Sequence, residues 1–195
     1  MIKIINIENA AKEDILTRDI KLESGVEAIV ADIIKNVREN GDAALKEYSL
    51  KFDKAEIENL RVTAEEIDAA YNSEDPALIE TLEKAKKNIW NFHKKQLRKG
   101  FEINNGDGTI SGQKITPIEK VGIYVPGGTA SYPSTVLMNA IPAKIAGVSE
   151  IIMVTPPDKN GNIPSAILCA AKIAGVDTII KTGGAQAVAA LAYGT

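Results

Sequence analysis

The stretch AKIAGVSEII (residues 143–152) returns 28 positions later as AKIAGVDTII (residues 171–180). In each copy an apolar run with helical spacing ends at a glycine, Gly147 or Gly175, and a pair of isoleucines follows. A glycine just past a helix is typical of a left-handed C-terminal turn, and the isoleucines favour a buried strand. Helices that alternate with short strands predict right-handed βαβ units in a parallel sheet.

A third apolar run precedes the first copy and completes the predicted sheet. Val121–Val125 reads as one strand, and the repeat contributes Ile151–Thr155 and Thr178–Thr182. Three parallel strands are roughly half of a doubly wound, Rossmann-like nucleotide-binding domain. Either an old duplication or two similar structural requirements would explain the repeat. A single pair of copies does not indicate a solenoid.

The charges divide the chain into two regions. Only seven of the 49 charged side chains fall between Val121 and Thr195. We therefore predict an α/β protein with a helical N-terminal region at 1–115, containing a hairpin near 101–115, followed by an incomplete nucleotide-binding-like α/β domain at 116–195. The hairpin is indicated by two apolar runs around the turn-forming residues Asn104–Gly108.

Capping signals predict where the helices of the first region begin and end. Gly41 predicts a break between two helices. Thr63 and Glu66 have the spacing of a capping box, and Asp75-Pro76 is a typical helix start. The helix after Pro76 carries an apolar stripe, which predicts packing for Leu78, Leu82, Ala85, Ile89 and Phe92, with Trp90 beside it.

The composition excludes several classes of protein. With 195 residues, 45% hydrophobic and 25% charged residues, and a net charge of −3, the chain is an ordinary globular sequence without the basic footprint of a nucleic-acid binder. No apolar run is long enough to span a membrane, and the first residues lack a signal-peptide profile. We expect a cytoplasmic protein with small-molecule or protein partners, no nucleic acid and no membrane.

Ligands of open parallel sheets collect where the strands end, so the three strand ends are the candidate site. The first is followed by Pro126-Gly127-Gly128, the second by Pro156-Pro157-Asp158 and the third by Gly183-Gly184. A glycine pair lets a ligand approach the backbone, but it also makes a tight turn, and spacing alone does not separate the two. Neither pair belongs to a dinucleotide fingerprint or a P-loop.

Two polar side chains stand beside these strand ends. Tyr124 interrupts an aliphatic strand, so its ring either stacks on a ligand base or covers the sheet edge. Gln186 follows the second glycine pair, where it either hydrogen-bonds a ligand or serves as a first-turn residue of its helix.

The chain has too few histidine and cysteine residues for several kinds of metal and catalytic site. His93 is the only histidine, and its place on an apolar helix favours a structural or interfacial role. Cys169 is the only cysteine and lies on an apolar helix face, which favours a core position. These two residues cannot form a zinc shell or a nucleophilic dyad, so we predict no catalytic residue and no metal ligand in this chain.

Several motifs resemble the histidinol dehydrogenase family. They are VGIYVPGGTA (121–130) with STVLMNAIPA (134–143), and TGGAQAVAALAYGT (182–195). Earlier segments resemble the same family: VRENGDAAL (37–45), Phe52-Asp53 and IWNFH (89–93). The resemblance covers nearly the whole chain.

This resemblance implies an enzyme that oxidises L-histidinol to L-histidine with two NAD in histidine biosynthesis. It implies a zinc-dependent homodimer with two nucleotide-binding-like domains, and it places Tyr124 and Gln186 at NAD-contacting positions. The zinc ligands and the proton-transferring Glu-His pair are expected beyond Thr195. We therefore expect an N-terminal portion of the enzyme that is inactive by itself.

Two other interpretations remain at this point. One is a non-catalytic α/β module for nucleotide binding or assembly. The other is an aldehyde-type dehydrogenase, which would need a reactive cysteine that Cys169, without a basic neighbour, does not provide.

Overall fold

The computed structural model describes residues 25–127 and 131–195. The start of the chain and the loop residues 128–130, including one member of the first glycine pair, lie outside the described residues. The elements in chain order are α1 (Val26–Tyr48), a π-helix (Ser49–Asp53), α2 (Ala64–Ser73), α3 (Pro76–His93), a 3₁₀ turn (Lys94–Gln96), β1 (Phe101–Asn104), β2 (Ile110–Gln113), β3 (Lys120–Tyr124), α4 (Pro133–Ala146), β4 (Glu150–Thr155), α5 (Ser165–Ala174), β5 (Thr178–Lys181) and α6 (Gly184–Tyr193).

The repeat forms the centre of the fold, as predicted. Strands β3, β4 and β5 are parallel and lie side by side in chain order. Helices α4 and α5 end at Gly147 and Gly175, whose φ angles of 92° and 79° are both left-handed. The first isoleucine of each pair, Ile151 or Ile179, is buried. The predicted α/β class is therefore confirmed.

The helix starts of the first region also follow the sequence signals. Thr63 and Glu66 form the complete capping box: the Glu66 amide donates to Oγ1 of Thr63 (3.2 Å) and the Thr63 amide donates to Oε2 of Glu66 (2.8 Å). Asp75 caps α3 by accepting from the Ala77 amide. Gly41, with φ 51° and ψ −129°, kinks α1 where the sequence predicts a break.

The apolar stripe of α3 is shorter than predicted. Leu82 is buried, and Leu78, Ala85 and Ile89 pack against the core around the sheet, but Phe92 is 65% exposed and Trp90 is 40% exposed. Trp90 turns away because one position along a helix is roughly 100° round its axis from Ile89. The interpretation of these two rings as core residues is wrong for the described chain.

The two predicted regions pack closely against each other. One core surrounds β3, β4 and β5 and includes Leu82 of α3, and a second joins α1 to Ala189 of α6. The segment around Arg61 pairs antiparallel with the outer side of β5, where the Val62 amide donates to the Ile179 carbonyl (2.9 Å). Both cores contain residues from the two sides of position 115. The region boundary near residue 115 stays a prediction.

One edge of the parallel sheet pairs with no other segment of the described residues. That edge belongs to β3, which pairs with β4 alone. Leu191 of α6 packs against Gly122 of β3, since a Cβ added at Gly122 would come 2.5 Å from its Cδ1. No helix within residues 25–127 and 131–195 is long and apolar enough to cross a membrane.

A carboxylate in the second copy of the repeat holds the first copy in place. Oδ2 of Asp177 accepts from the Lys144 ammonium and from the Ile151 amide, both at 2.8 Å. Partial burial by itself would raise the pKa of Asp177, but these two donors outweigh it and lower that pKa. The two copies are therefore tied by charge as well as by strand pairing.

Candidate functional site at the carboxyl edge of the sheet

The three strand ends meet around one proline. Pro156 follows β4, and it lies between Gly127, which follows β3, and Gly183, which follows β5. A Cβ added at Gly127 would come 2.5 Å from Cγ of Pro156, and one added at Gly183 would come 2.6 Å from its Cβ. Real Cβ atoms do not approach so closely, so both positions require glycine for packing.

The two predicted ligand residues come together at this edge. The backbone amide of Gly184 donates to the hydroxyl of Tyr124 at 3.2 Å. The side-chain amide of Gln186 packs against Gly184, where Oε1 would be 2.7 Å from an added Cβ. Tyr124 is 39% exposed and Gln186 only 2%. Tyr124, Gly184 and Gln186 therefore form one polar group where β3 and β5 end and α6 begins. We call it the Tyr124–Gly184–Gln186 group.

A cleft of about 350 Å³ opens between the ends of β3 and β4, with Pro156 in its wall. Its walls include Thr155, Ile167, Lys159 and two acids, Asp53 and Asp158. Asp158 is committed to its own loop, because its Oδ1 accepts from the amides of Asn160 (2.8 Å) and Asn162 (2.9 Å). This volume is typical of a small-ligand pocket.

Asp53 reaches the cleft from the helical region, at the end of the π-helix. Its Oδ2 is buried and has no hydrogen-bond partner in the described part of the chain. Burial raises the pKa of this carboxyl, since a low-dielectric setting disfavours the charged form. No chemical motif in the sequence marks Asp53 as a site residue, although Phe52-Asp53 is one of the motifs that carry the family resemblance.

The single cysteine takes the core position that the sequence favours, and the structural or interfacial role of the single histidine stays a prediction. Nδ1 of His93 is hydrogen-bonded to Oε1 of Gln96 (2.6 Å), at the end of α3. Cys169 is fully buried on α5. Burial above all, and then the charge of Glu74, raises the pKa of its thiol, against a smaller opposing effect of Lys172. A thiol of this kind is a poor nucleophile, which disfavours the aldehyde-type dehydrogenase.

Zinc and a nicotinamide dinucleotide fit the described residues very differently. Residues 25–127 and 131–195 hold no group of three His, Cys, Asp or Glu side chains placed to bind one metal ion. A structural or catalytic zinc site needs three or four such ligands, so these residues do not fit zinc. The strand-end glycines, the Tyr124–Gly184–Gln186 group and the start of α6 are the kind of donor set that fits a diphosphate-containing cofactor.

Comparison with known proteins identifies the family. The family model described as histidinol dehydrogenase matches residues 16–195. Histidinol dehydrogenase from Geobacillus kaustophilus is 52% identical over 177 residues, which are 89% of this chain and 42% of the relative. The enzyme of that name from Methanocaldococcus jannaschii is 51% identical over 194 residues, which are 99% of this chain and 43% of the relative.

The fold agrees with a solved structure. The crystal structure of histidinol dehydrogenase from Elizabethkingia anophelis superposes with a TM-score of 0.87 at 38% identity, over 94% of this chain and 42% of that one. The chain thus spans about two fifths of the length of the relatives that it matches. By sequence and by fold, the chain belongs to the histidinol dehydrogenase family.

Proposed function

We propose that this chain is the N-terminal part of a histidinol dehydrogenase, which oxidises L-histidinol to L-histidine with two NAD in histidine biosynthesis. The family match over residues 16–195, together with relatives more than twice as long, supports this proposal. We further propose that this part supplies a surface for NAD and that the reacting groups belong to the rest of the enzyme.

The observation that carries the NAD proposal is the Tyr124–Gly184–Gln186 group at the carboxyl edge. The Tyr124 hydroxyl fixes the Gly184 backbone where α6 begins, and Gln186 packs against it. The first amides of a helix attract an anion, so the NAD diphosphate would lie at the start of α6 with Gln186 beside it. Bound NAD supplies the hydride acceptor for both oxidations.

The proposal also includes zinc, the substrate and a partner subunit. The described residues do not provide these. The family resemblance implies a zinc-dependent, cytoplasmic homodimer, and the zinc ligands and the proton-transferring Glu-His pair are expected beyond Thr195. Since the described residues do not fit zinc, L-histidinol would bind mainly to the rest of the enzyme.

NAD titration of the purified 195-residue chain by isothermal calorimetry tests the proposed cofactor surface. We expect NAD to bind, and Gln186→Glu to weaken binding about tenfold, because the variant loses the side-chain amide donor and places a negative charge near the diphosphate. The substitution keeps the side-chain volume, so the buried position stays filled.

Gln113→Glu is the matched control, since it makes the same substitution at an exposed glutamine on β2, a strand that contributes no residue to the cleft or to the Tyr124–Gly184–Gln186 group. Its NAD affinity should equal that of the unmodified chain. Equal affinities for the Gln186 variant and the unmodified chain, or no binding to the unmodified chain, would contradict the proposal.

A further inference from the structure

The two acids in the cleft differ in what their oxygens already bind. Oδ1 of Asp158 accepts two backbone amides of its own loop. Oδ2 of Asp53 is buried and accepts nothing from the described residues. A buried acceptor without a donor is costly, and native structures rarely keep one without a functional reason. Asp53 is therefore the acid of the cleft whose buried oxygen has no donor in the described residues.

The backbone that holds Asp53 is also unusual. Asp53 is the last residue of a π-helix, a rare element that occurs frequently at functional sites. The next residue, Lys54, has φ 59° and is the only non-glycine residue with positive φ in the described chain. Such a conformation persists only where the surrounding structure enforces it. Lys54 ends the π-helix, so the two features form one backbone irregularity at Asp53, of a kind that is frequent at functional sites.

The position of the cleft indicates what Asp53 would bind. In ordinary dinucleotide-binding folds an acid at the end of the second strand accepts hydrogen bonds from the adenosine ribose of NAD. Here the second strand of the parallel sheet is β4, and Oδ1 of the acid that follows it, Asp158, already accepts two backbone amides of its own loop. Asp53 lines the same cleft as Thr155, the last residue of β4. The cleft, at about 350 Å³, has the size of a small-ligand pocket and is too small for a whole dinucleotide.

We propose that Asp53 accepts hydrogen bonds from the adenosine ribose hydroxyls of bound NAD, a role that ordinary dinucleotide folds give to an acid of the second strand. This inference rests on the proposed function, because it takes NAD as the ligand of the carboxyl edge. A carboxylate at this place also repels a 2′-phosphate, so it selects NAD over NADP.

Asp53→Asn tests the inference without changing side-chain size. Calorimetry of the 195-residue chain should show NAD affinity falling about tenfold in the variant, since a charged acceptor is lost. The unmodified chain should bind adenosine monophosphate more tightly than its 2′,3′-dideoxy analogue, and the variant should bind both about equally. Asp32→Asn is the control, because Asp32 is an exposed acid on α1 with the same charge change.

Thermal unfolding separates this role from a merely structural one. If Asp53 is retained for ligand binding, its charge destabilises the ligand-free protein. Asp53→Asn should then raise the melting temperature by about 2–4 °C. A structural role for the carboxylate predicts a lower melting temperature instead. A variant that melts lower and binds NAD normally would overturn the inference.

The remaining outcomes distinguish this inference from the proposed function. NAD that binds equally to the chain and to Asp53→Asn would overturn the inference and leave the NAD surface standing. Absence of NAD binding to the unmodified chain would overturn both. A melting temperature that Mg²⁺ alone raises in the unmodified chain, but not in the variant, would make the cleft a cation site and overturn the ribose assignment.

Discussion

Ile151→Ala is expected to lower the free energy of unfolding by about 2–5 kcal/mol, because it empties space in the centre of the parallel sheet. Ile151 is completely buried on β4, and β4 is the middle strand, with β3 on one side and β5 on the other. The surrounding helices cannot all move inward to fill the cavity. Urea unfolding followed by circular dichroism gives the measurement.

The repeat supplies both the control and an internal replicate for this prediction. Ile152, the second isoleucine of the pair, is only partly buried. Ile152→Ala should therefore lower the free energy of unfolding by clearly less than Ile151→Ala does. Ile179 is the equivalent of Ile151 in the second copy and is 2% exposed, so Ile179→Ala should fall in the same range of about 2–5 kcal/mol. A cost at Ile152 equal to that at Ile151 would show that the side-chain alternation of β4 is wrong.

Gly183→Ala is expected to cost about 1–3 kcal/mol of stability and to weaken NAD binding. The added methyl group would meet Cβ of Pro156 at 2.6 Å, and a proline ring has little freedom to move away. Any relief must shift the end of β5 or the end of β4. A shift of β5 displaces Gly184 and Gln186, and a shift of β4 displaces Pro156 in the wall of the cleft, so stability by urea unfolding and NAD affinity by calorimetry should change together.

A double-mutant cycle with Pro156→Gly isolates this contact. Removing the proline ring takes away the three atoms nearest to a Cβ at position 183, so alanine at 183 should cost much less in that background. If alanine at 183 costs the same with and without the proline ring, the strand ends do not meet as described.

The part of the fold that sequence reasoning predicts well is the part that local signals control. The repeated AKIAGV segment fixes two helix ends and two strand starts, because glycine accepts the left-handed turn at both places. The capping box at Thr63 and the Asp75-Pro76 start depend on residues at most three positions apart. Such signals do not depend on the rest of the chain.

The features that sequence reasoning missed depend on contacts between distant residues. No sequence pattern predicts a strand at Arg61, yet its segment pairs with β5, which lies more than a hundred positions later. Asp53 carries no chemical motif by itself, and only the fold brings it to the end of β4. The exposed rings of Trp90 and Phe92 follow an apolar pattern that the described core does not use.

The candidate site was predicted in part. Strand-end glycines and the family resemblance direct attention to Tyr124 and Gln186, and the structure brings these two residues together through Gly184. Their role toward NAD stays a prediction. The packing of both glycine loops on Pro156 could not be read from the sequence, because it depends on how the ends of three parallel strands align.

One sample tests most directly whether this chain provides the cofactor surface without the reacting groups. The purified 195-residue chain is mixed with NAD, L-histidinol and Zn²⁺; saturation-transfer NMR reports bound NAD, and absorbance reports NADH. A full-length relative serves as the positive control. We predict bound NAD and no NADH above background. Sustained NADH formation by the chain alone, or NAD that does not bind, would contradict the proposed division of roles.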